Sequence, residues 1–429
     1  MIKAALAYFR ENNYYDRLFI LFRKKYESLG RIGGTVKIDS LRDKELEAVA
    51  RFFGKTTTDL QRMEKVSLES FEKQLKNTKF ASLDLKELLE AYFEEPLVSK
   101  KEKKEMAEQR TKHFFDQLAS KYPGINNWLN YVRKKSSDTY WIYRLMADSP
   151  EEFLMKACHL EHAIAHLPSE LERLPMFSQR ITRDPHAFDL NTILGRLFVH
   201  LLAVDKCKGN AVIVPTDSEG INELLLSYNI LRDDITNYVT CANLLAESTE
   251  GSHPMWEAAA RTQSVLNMPL RELIGLTSVY PAGNKKMVWI VENSGVYSSI
   301  LDKLPDAPLI CTHGQFKLAA LILIDLLVKE DCTLYYAGDI DPEGLGMAEK
   351  LILRHPQNVR LWKMDVKSYQ KSIASIELSD ERLKKLDAIV TSEMLPVVKE
   401  IKKRKRAGYQ EALVSEMIAE LSKENSQSL

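Results

Sequence analysis

Met287-Val288-Trp289-Ile290-Val291-Glu292 and Thr333-Leu334-Tyr335-Tyr336-Ala337-Gly338-Asp339-Ile340-Asp341-Pro342-Glu343-Gly344 are two short apolar runs, each ending abruptly in carboxylates. Around them the chain alternates. Apolar Met287 to Val291 precedes helix-like Ser294 to Leu304, apolar Leu309 to Thr312 precedes helix-like Gln315 to Val328, and apolar Thr333 to Ala337 precedes helix-like Pro342 to Leu353, with Val359 to Trp362 closing the series. Strands alternating with helices predict a parallel sheet with right-handed crossovers, an α/β architecture of Rossmann-like type.

In an open sheet of that kind, ligands bind outside the carboxyl ends of the strands. Glu292, Asp339 and Asp341 fall there, and Asp339 and Asp341 point the same way if the chain stays extended, because side chains at i and i+2 share a face. Neighbouring strands lie ~4.8 Å apart, so carboxylates on nearby strand ends can share one or two Mg²⁺ or Mn²⁺ ions, for which Mg²⁺ prefers hard oxygen ligands. The chemistry that suits such a site is phosphodiester cleavage, where a metal polarises the phosphoryl oxygen, activates water and stabilises the leaving oxygen. A carboxylate not tied to metal can act as general acid or base. The competing explanation is local: Asp341-Pro342-Glu343-Gly344 is also a good helix start, with Asp as N-cap, Pro at the first helical position and Glu in the first turn. Capping accounts for Asp341 and Glu343 but for neither Asp339 nor Glu292, and Glu343 remains a secondary candidate metal ligand.

Farther out, 429 residues are enough for several domains, since single cores rarely grow past ~250 residues. Leu41 to Asn130 is rich in Leu, Lys and Glu, with apolar residues at three- and four-residue spacing such as Leu85, Leu88, Leu89, Tyr92 and Phe93, so residues 1–166 are expected to form a helical N-terminal arm domain. From about Leu167, prolines and β-branched runs such as Ala211-Val212-Ile213-Val214 mark a middle segment, 167–280. Residues 281–429 carry the α/β pattern and a basic C-terminal tail.

Sixty basic and sixty acidic residues cancel, which leaves only local patches as electrostatic footprints for nucleic acid. Two such patches stand out. Lys24, Lys25 and Arg31 flank the glycines of Leu29-Gly30-Arg31-Ile32-Gly33-Gly34, and Lys402-Lys403-Arg404-Lys405-Arg406 forms a continuous run; both are candidate DNA phosphate contacts, with solvated surface charge as the alternative. Five cysteines without a CxxC pair suggest buried thiols in a reducing compartment. The N-terminal apolar run is too short for a signal peptide and no stretch of ~18 apolar residues could span a bilayer, so a cytoplasmic protein without membrane contact is expected.

Glu292-Asn293, Cys311-Thr312-His313-Gly314-Gln315 and Gly338-Asp339-Ile340-Asp341-Pro342-Glu343-Gly344 together resemble a Toprim domain, most like those of topoisomerase VI A subunits and their relatives. Looser likeness through Arg183-Asp184-Pro185-His186-Ala187-Phe188-Asp189 and Tyr26 to Gly34 extends the resemblance to the JetD family, the DNA-cleaving subunits of Wadjet plasmid-defence systems. The resemblance implies a homodimeric, Mg²⁺-dependent (or Mn²⁺-dependent) endonuclease that cuts closed circular double-stranded DNA. It would work with an SMC-like ATPase, a kleisin and accessory subunits, at the nucleoid or on plasmids. Carried over by residue, the Toprim Glu falls on Glu292, as catalytic acid/base or metal ligand, and the Asp-x-Asp pair on Asp339 and Asp341 as metal ligands. A winged-helix, CAP-like fold is one candidate for 167–280. Topoisomerase VI needs a nucleophilic tyrosine, and no local pattern marks one, although Tyr140, Tyr143, Tyr228 and Tyr238 are available; hydrolysis is therefore favoured over a tyrosyl transesterase, and a non-enzymatic DNA-binding assembly subunit is the third reading. No GxxxxGK[ST] loop is present, so any ATP-driven step must come from another chain. Two weaker signals are Cys311 to Gln315, a phosphate-binding turn or a plain strand-to-helix turn, and Asp184, His186 and Asp189, a second metal site or a proline-led turn with local Asp hydrogen bonds.

Overall fold

Apolar runs too short for helices need a hydrogen-bonding neighbour for every backbone group, and six of them find one another in a single sheet. Its strands are β1 (Tyr238–Ala242), β2 (Leu266–Pro269), β3 (Met287–Val291), β4 (Leu309–Cys311), β5 (Thr333–Ala337) and β6 (Val359–Leu361), in the order β6-β5-β3-β4-β1-β2. The computed structural model describes residues 1–207 and 211–426; these divide into two compact units, Met1–Pro123 and Gly124–Leu429. The expected boundaries near 166 and 280 both fall inside the second unit.

The first unit is α-rich. Helices Ile2–Arg10, Asp16–Leu29, Asp43–Phe52, Leu68–Lys76 and Leu85–Phe93 enclose an aromatic core in which Phe9, Phe19, Phe22 and Phe71 are fully buried and Phe52 stacks on Phe71 at 4.4 Å. One antiparallel pair, Thr35–Lys37 with Lys65–Ser67, is its strand content among the described residues. Helix Lys100–Lys121 begins with a Ser99/Glu102 capping box; Lys101–Arg110 are exposed all round, and only with Phe115 and Leu118 does the helix bury a face.

In the second unit, β3, β4, β5 and β6 are parallel, and the connections between them are α1 (Ser294–Leu301), α2 (Leu318–Lys329) and α3 (Pro342–Arg354). Leu323, Ile324 and Leu327 of α2 are fully buried, as are Leu345 and Ala348 of α3. The sheet as a whole is mixed, not parallel as expected: β1 runs antiparallel to β4 and β2 antiparallel to β1. The strand–helix alternation holds only after Lys286. Upstream, β1 and β2 are separated by the strands Leu244–Ser248 and Gly251–Ser252 and by helix Pro254–Thr262, and the third strand of that small sheet, Leu276–Pro281, follows β2; no crossover pattern announces β1 and β2, and they extend the edge beside β4 in the antiparallel sense common at sheet edges. Ala211 to Val214 is not a strand; β-branched residues favour strands only where a partner and a packing face exist.

Beyond β6 the chain forms an antiparallel pair, β7 (Ile373–Glu377) with β8 (Arg406–Gly408), joined through a five-residue helix α4 (Asp380–Lys384) and helix α5 (Leu395–Arg404). Gly408 exchanges both backbone hydrogen bonds with Ile340, at 2.8 and 3.0 Å, which ties the C-terminal segment onto the Asp339–Asp341 loop. Cys241, Cys311 and Cys332 are buried thiols as expected, but Cys158 and Cys207 are only half-buried. Among the described residues no helix is long and apolar enough to cross a membrane.

Candidate functional site

β3 pairs directly with β5, with Val291 opposite Ala337. The residues that follow these two positions are therefore side by side at the carboxyl edge, where the chain leaves β3 for β4 on one side and later crosses to β5 on the other. Such a reversal opens a crevice at the strand ends. The Asp339 N–H donates to Glu292 Oε2 at 3.3 Å, and the Gln410 N–H donates to Asp339 Oδ1 at 3.0 Å. Gly338 leaves room beside these acids: a Cβ there would lie 2.8 Å from the Tyr336 hydroxyl and 2.9 Å from Glu292 Oε2.

Burial, and after it the neighbouring carboxylates, raises both acids. Burial, reinforced by the nearby Asp339 carboxylate, pushes Glu292 up to about 7. Asp339 is also raised, by burial and by Glu411 and Asp341, against the lowering effect of the Gln410 N–H. Tyr336, beneath them, is fully buried, and neither its hydroxyl nor the Nε2 of buried Gln410 has a hydrogen-bond partner among the described residues.

Asp341 serves two partners. Its Oδ1 accepts from the Gly344 N–H at 2.8 Å, the N-cap of α3, and its Oδ2 accepts from Arg382 Nη2 at 2.6 Å. Glu343 accepts from the same guanidinium, including Nε at 3.1 Å, and from Lys385 Nζ at 2.9 Å. Burial alone would raise Glu343, but these two cations hold it down to about 2. The cap on α3 thus uses one oxygen of Asp341 and the ion pair with Arg382 the other.

In donor chemistry the acids suit a hard divalent cation, and Glu292 and Asp339 have no cationic side chain to offset their repulsion among the described residues. In arrangement they are incomplete: no three His, Cys, Asp or Glu side chains are grouped to hold a metal among the described residues. Asp341 and Glu343 are turned to Arg382 instead.

The remaining sequence candidates are placed as follows. Lys402 to Arg406 are all exposed, and three of the five are already paired, Lys402 with Asp387, Arg404 with Glu400 and Lys405 with Asp380. Exposed pairs of this kind are weak, because solvent screens them, and yield to a better partner. In the first unit Lys24 and Arg31 are exposed and Lys25 half-buried. Cys311 to Gln315 makes a turn with His313 and Gly314 in left-handed conformation; His313 lies 2.6 Å from Thr240 Oγ1, and the Gly314 N–H donates to the Glu292 carbonyl at 3.3 Å. Asp184, His186 and Asp189 form a proline-led turn: Asp184 Oδ1 accepts from the His186 N–H at 2.9 Å and His186 Nδ1 lies 3.0 Å from Asp189 Oδ2. Of the four tyrosines considered, Tyr238 lies at the start of β1, at the same sheet edge, with Lys317 Nζ 4.1 Å from its ring centroid. Sequence reasoning missed Tyr336, Arg382, Lys385 and Gln410, and no local signal marks them.

An α/β unit with carboxylates gathered at the carboxyl edge of its parallel strands is the class that fold and site define. More particularly, the chain matches two family models, described as protein of unknown function N-terminus (DUF3323), over 32–246, and protein of unknown function C-terminus (DUF2399), over 266–421. The first spans half the chain, and the chain belongs to that family. The two domains are the pair found in JetD/Wadjet-type proteins. No curated protein matches the chain.

Proposed function

We propose that this protein is a divalent-metal-dependent DNA endonuclease with a Toprim-type site, the cutting subunit of an SMC-like plasmid-defence complex. The observation that supports it most is the direct pairing of β3 with β5, which sets Glu292 and Asp339 side by side at the carboxyl edge. Asp339 and Asp341 would hold the ion, with Glu292 or Glu343 completing the ligands, and Mg²⁺ or Mn²⁺ would supply charge neutralisation for the phosphoryl oxygens and activation of water. Glu292, with its carboxyl near 7, is suited to exchange a proton with water or with a leaving oxygen at neutral pH. Lys24, Lys25 and Arg31, and the run Lys402 to Arg406, would track DNA phosphates. The partners in this reading are double-stranded DNA, a second copy of the chain, and an SMC-like ATPase with its kleisin and accessory subunits, at the nucleoid or on plasmids in the cytoplasm. The resemblance and the domain pair support these assignments.

The test is cleavage of closed circular plasmid with Mg²⁺ or Mn²⁺, with and without the SMC-type partners. Glu292→Gln is expected to lower the rate by about 100-fold or more, the usual scale for loss of acid–base catalysis, and Asp339→Ala to abolish cleavage by removing an ion ligand, each with circular dichroism unchanged. Undiminished cleavage by Asp339→Ala would remove the reading. Tyr238 at the same edge favours a second reading, tyrosyl transesterification: protein covalently attached to DNA ends, lost in Tyr238→Phe, would establish it in place of hydrolysis.

A further inference from the structure

Arg382 stands 41 positions beyond Asp341, on the five-residue helix α4. Its guanidinium has two partners, Asp341 and Glu343, and these are the two acids of the cluster that the Glu292–Asp339 pair does not engage. The backbone that carries Arg382 is held independently. Ser379 caps α4, Leu383 and Leu386 are buried, and Lys405 Nζ pairs with Asp380 at 2.9 Å. The Arg382 side chain is itself about a third exposed, at 36%, so its long flexible stem can leave the carboxylates for solvent while α4 stays in place. Glu343 would keep Lys385 as a partner after such a departure.

Two positive charges cannot share the Asp341 carboxylate at close range without strong repulsion in a partly buried setting. We propose that Arg382 is a placeholder cation: its guanidinium occupies the Asp341 position of the acid cluster, and a divalent ion that uses Asp341 must displace it. The inference rests on the reading of these acids as metal ligands. It accounts for the combination seen here, acids of the right chemistry at one sheet edge without three of them grouped around a common point. Asp341 is positioned by its cap on α3 whether or not Arg382 is present, so the site needs a side-chain swing and no refolding. The unpartnered Tyr336 hydroxyl, fully buried beneath the acids, is a second sign that the cluster is built around a polar occupant.

The full-length chain is titrated with MnCl₂ and free Mn²⁺ is read by electron paramagnetic resonance, without DNA. Arg382→Gln is expected to bind Mn²⁺ at least tenfold more tightly than wild type. Arg382→Lys, which keeps the charge but loses the two-acid fork, is expected to fall between them and carries the test should Arg382→Gln fail to fold. Adding Asp341→Asn to Arg382→Gln is expected to abolish the gain. Equal affinity in wild type and both Arg382 variants overturns the inference and leaves the metal reading standing, as does a gain that survives Asp341→Asn. Absence of Mn²⁺ binding in every variant overturns both. Tighter binding by Arg382→Gln that is lost with Asp341→Asn upholds the placeholder whether or not the cleavage assay, run separately with the partners, supports the nuclease.

Discussion

His200 lies buried in the second unit between two partners: the Trp128 indole N–H donates to its Nδ1 at 2.8 Å, and its Nε2 lies 3.3 Å from Asp138 Oδ2. Because Nδ1 accepts, the neutral ring carries its proton on Nε2, toward the carboxylate. Charging the ring would put a second N–H against the indole N–H. Burial outweighs the attraction of Asp138 and holds the imidazole below its ordinary value. The folded state therefore binds fewer protons than the unfolded one around and below the ordinary His range, and the stabilisation is fully present above ~6.5 and lost as pH falls through the folded value. The urea midpoint of the wild type is expected to drop between about pH 7.5 and 5 more steeply than that of His200→Gln. Parallel profiles would exclude His200 as the source; His159 and His313 are also lowered, chiefly by burial, but they are common to both proteins and cancel in the comparison. At this scale Glu292, Asp339 and Asp341 were legible, since a carboxylate at the end of an apolar run is a local pattern. Arg382 and Gln410 were not: they reach the acids from 41 and 71 positions away, and neither sits in a distinctive neighbourhood of its own sequence.

Helix α3 shows how an element is aimed at the site. At Gly344 a Cβ would sit 2.1 Å from the Asp339 carbonyl oxygen, a backbone atom that cannot move without the loop that carries Asp339. Two residues on, a Cβ at Gly346 meets nothing within 4 Å. Gly344→Ala is expected to cost about 1–3 kcal/mol, the range for forcing an atom into packed structure. Gly346→Ala is expected to be neutral or to stabilise by up to ~1 kcal/mol, since Ala loses less conformational freedom in a helix. Urea denaturation of the two variants checks the contrast, and equal midpoints would refute it. The elements themselves followed the sequence closely: β3 and β5 have the expected bounds, and α3 ends one residue later than expected. Their lateral order did not. Antiparallel β1 and β2 join the sheet through pairings between residues about 70 and 27 positions apart, such as Cys311 with Thr240 and Thr240 with Asn267, which no local periodicity encodes.

Each unit has a core of its own: the aromatic cluster of Phe9, Phe19, Phe22, Phe52 and Phe71 belongs to the first unit, and the core around Val288, Ile290, Leu323 and Tyr336 to the second. Phe71→Ala is therefore expected to destabilise the first unit by about 3–5 kcal/mol, the usual cost of emptying a buried aromatic site. Hydrogen exchange should show lost protection within residues 1–123 and unchanged protection in β3 and β5. Loss of protection in both would mean that the cores act as one. What the amino-acid sequence determined by itself is the local grammar: an α-rich N-terminal region, strands alternating with helices after Lys286, and acids at the strand ends, all of which depend on periodicity and on chemistry between near neighbours. Tertiary structure alone decided that β3 lies against β5, that the sheet is mixed, and that Asp341 and Glu343 face Arg382, because strand pairing and ion pairs between distant segments are set by which surfaces meet when the chain closes on itself.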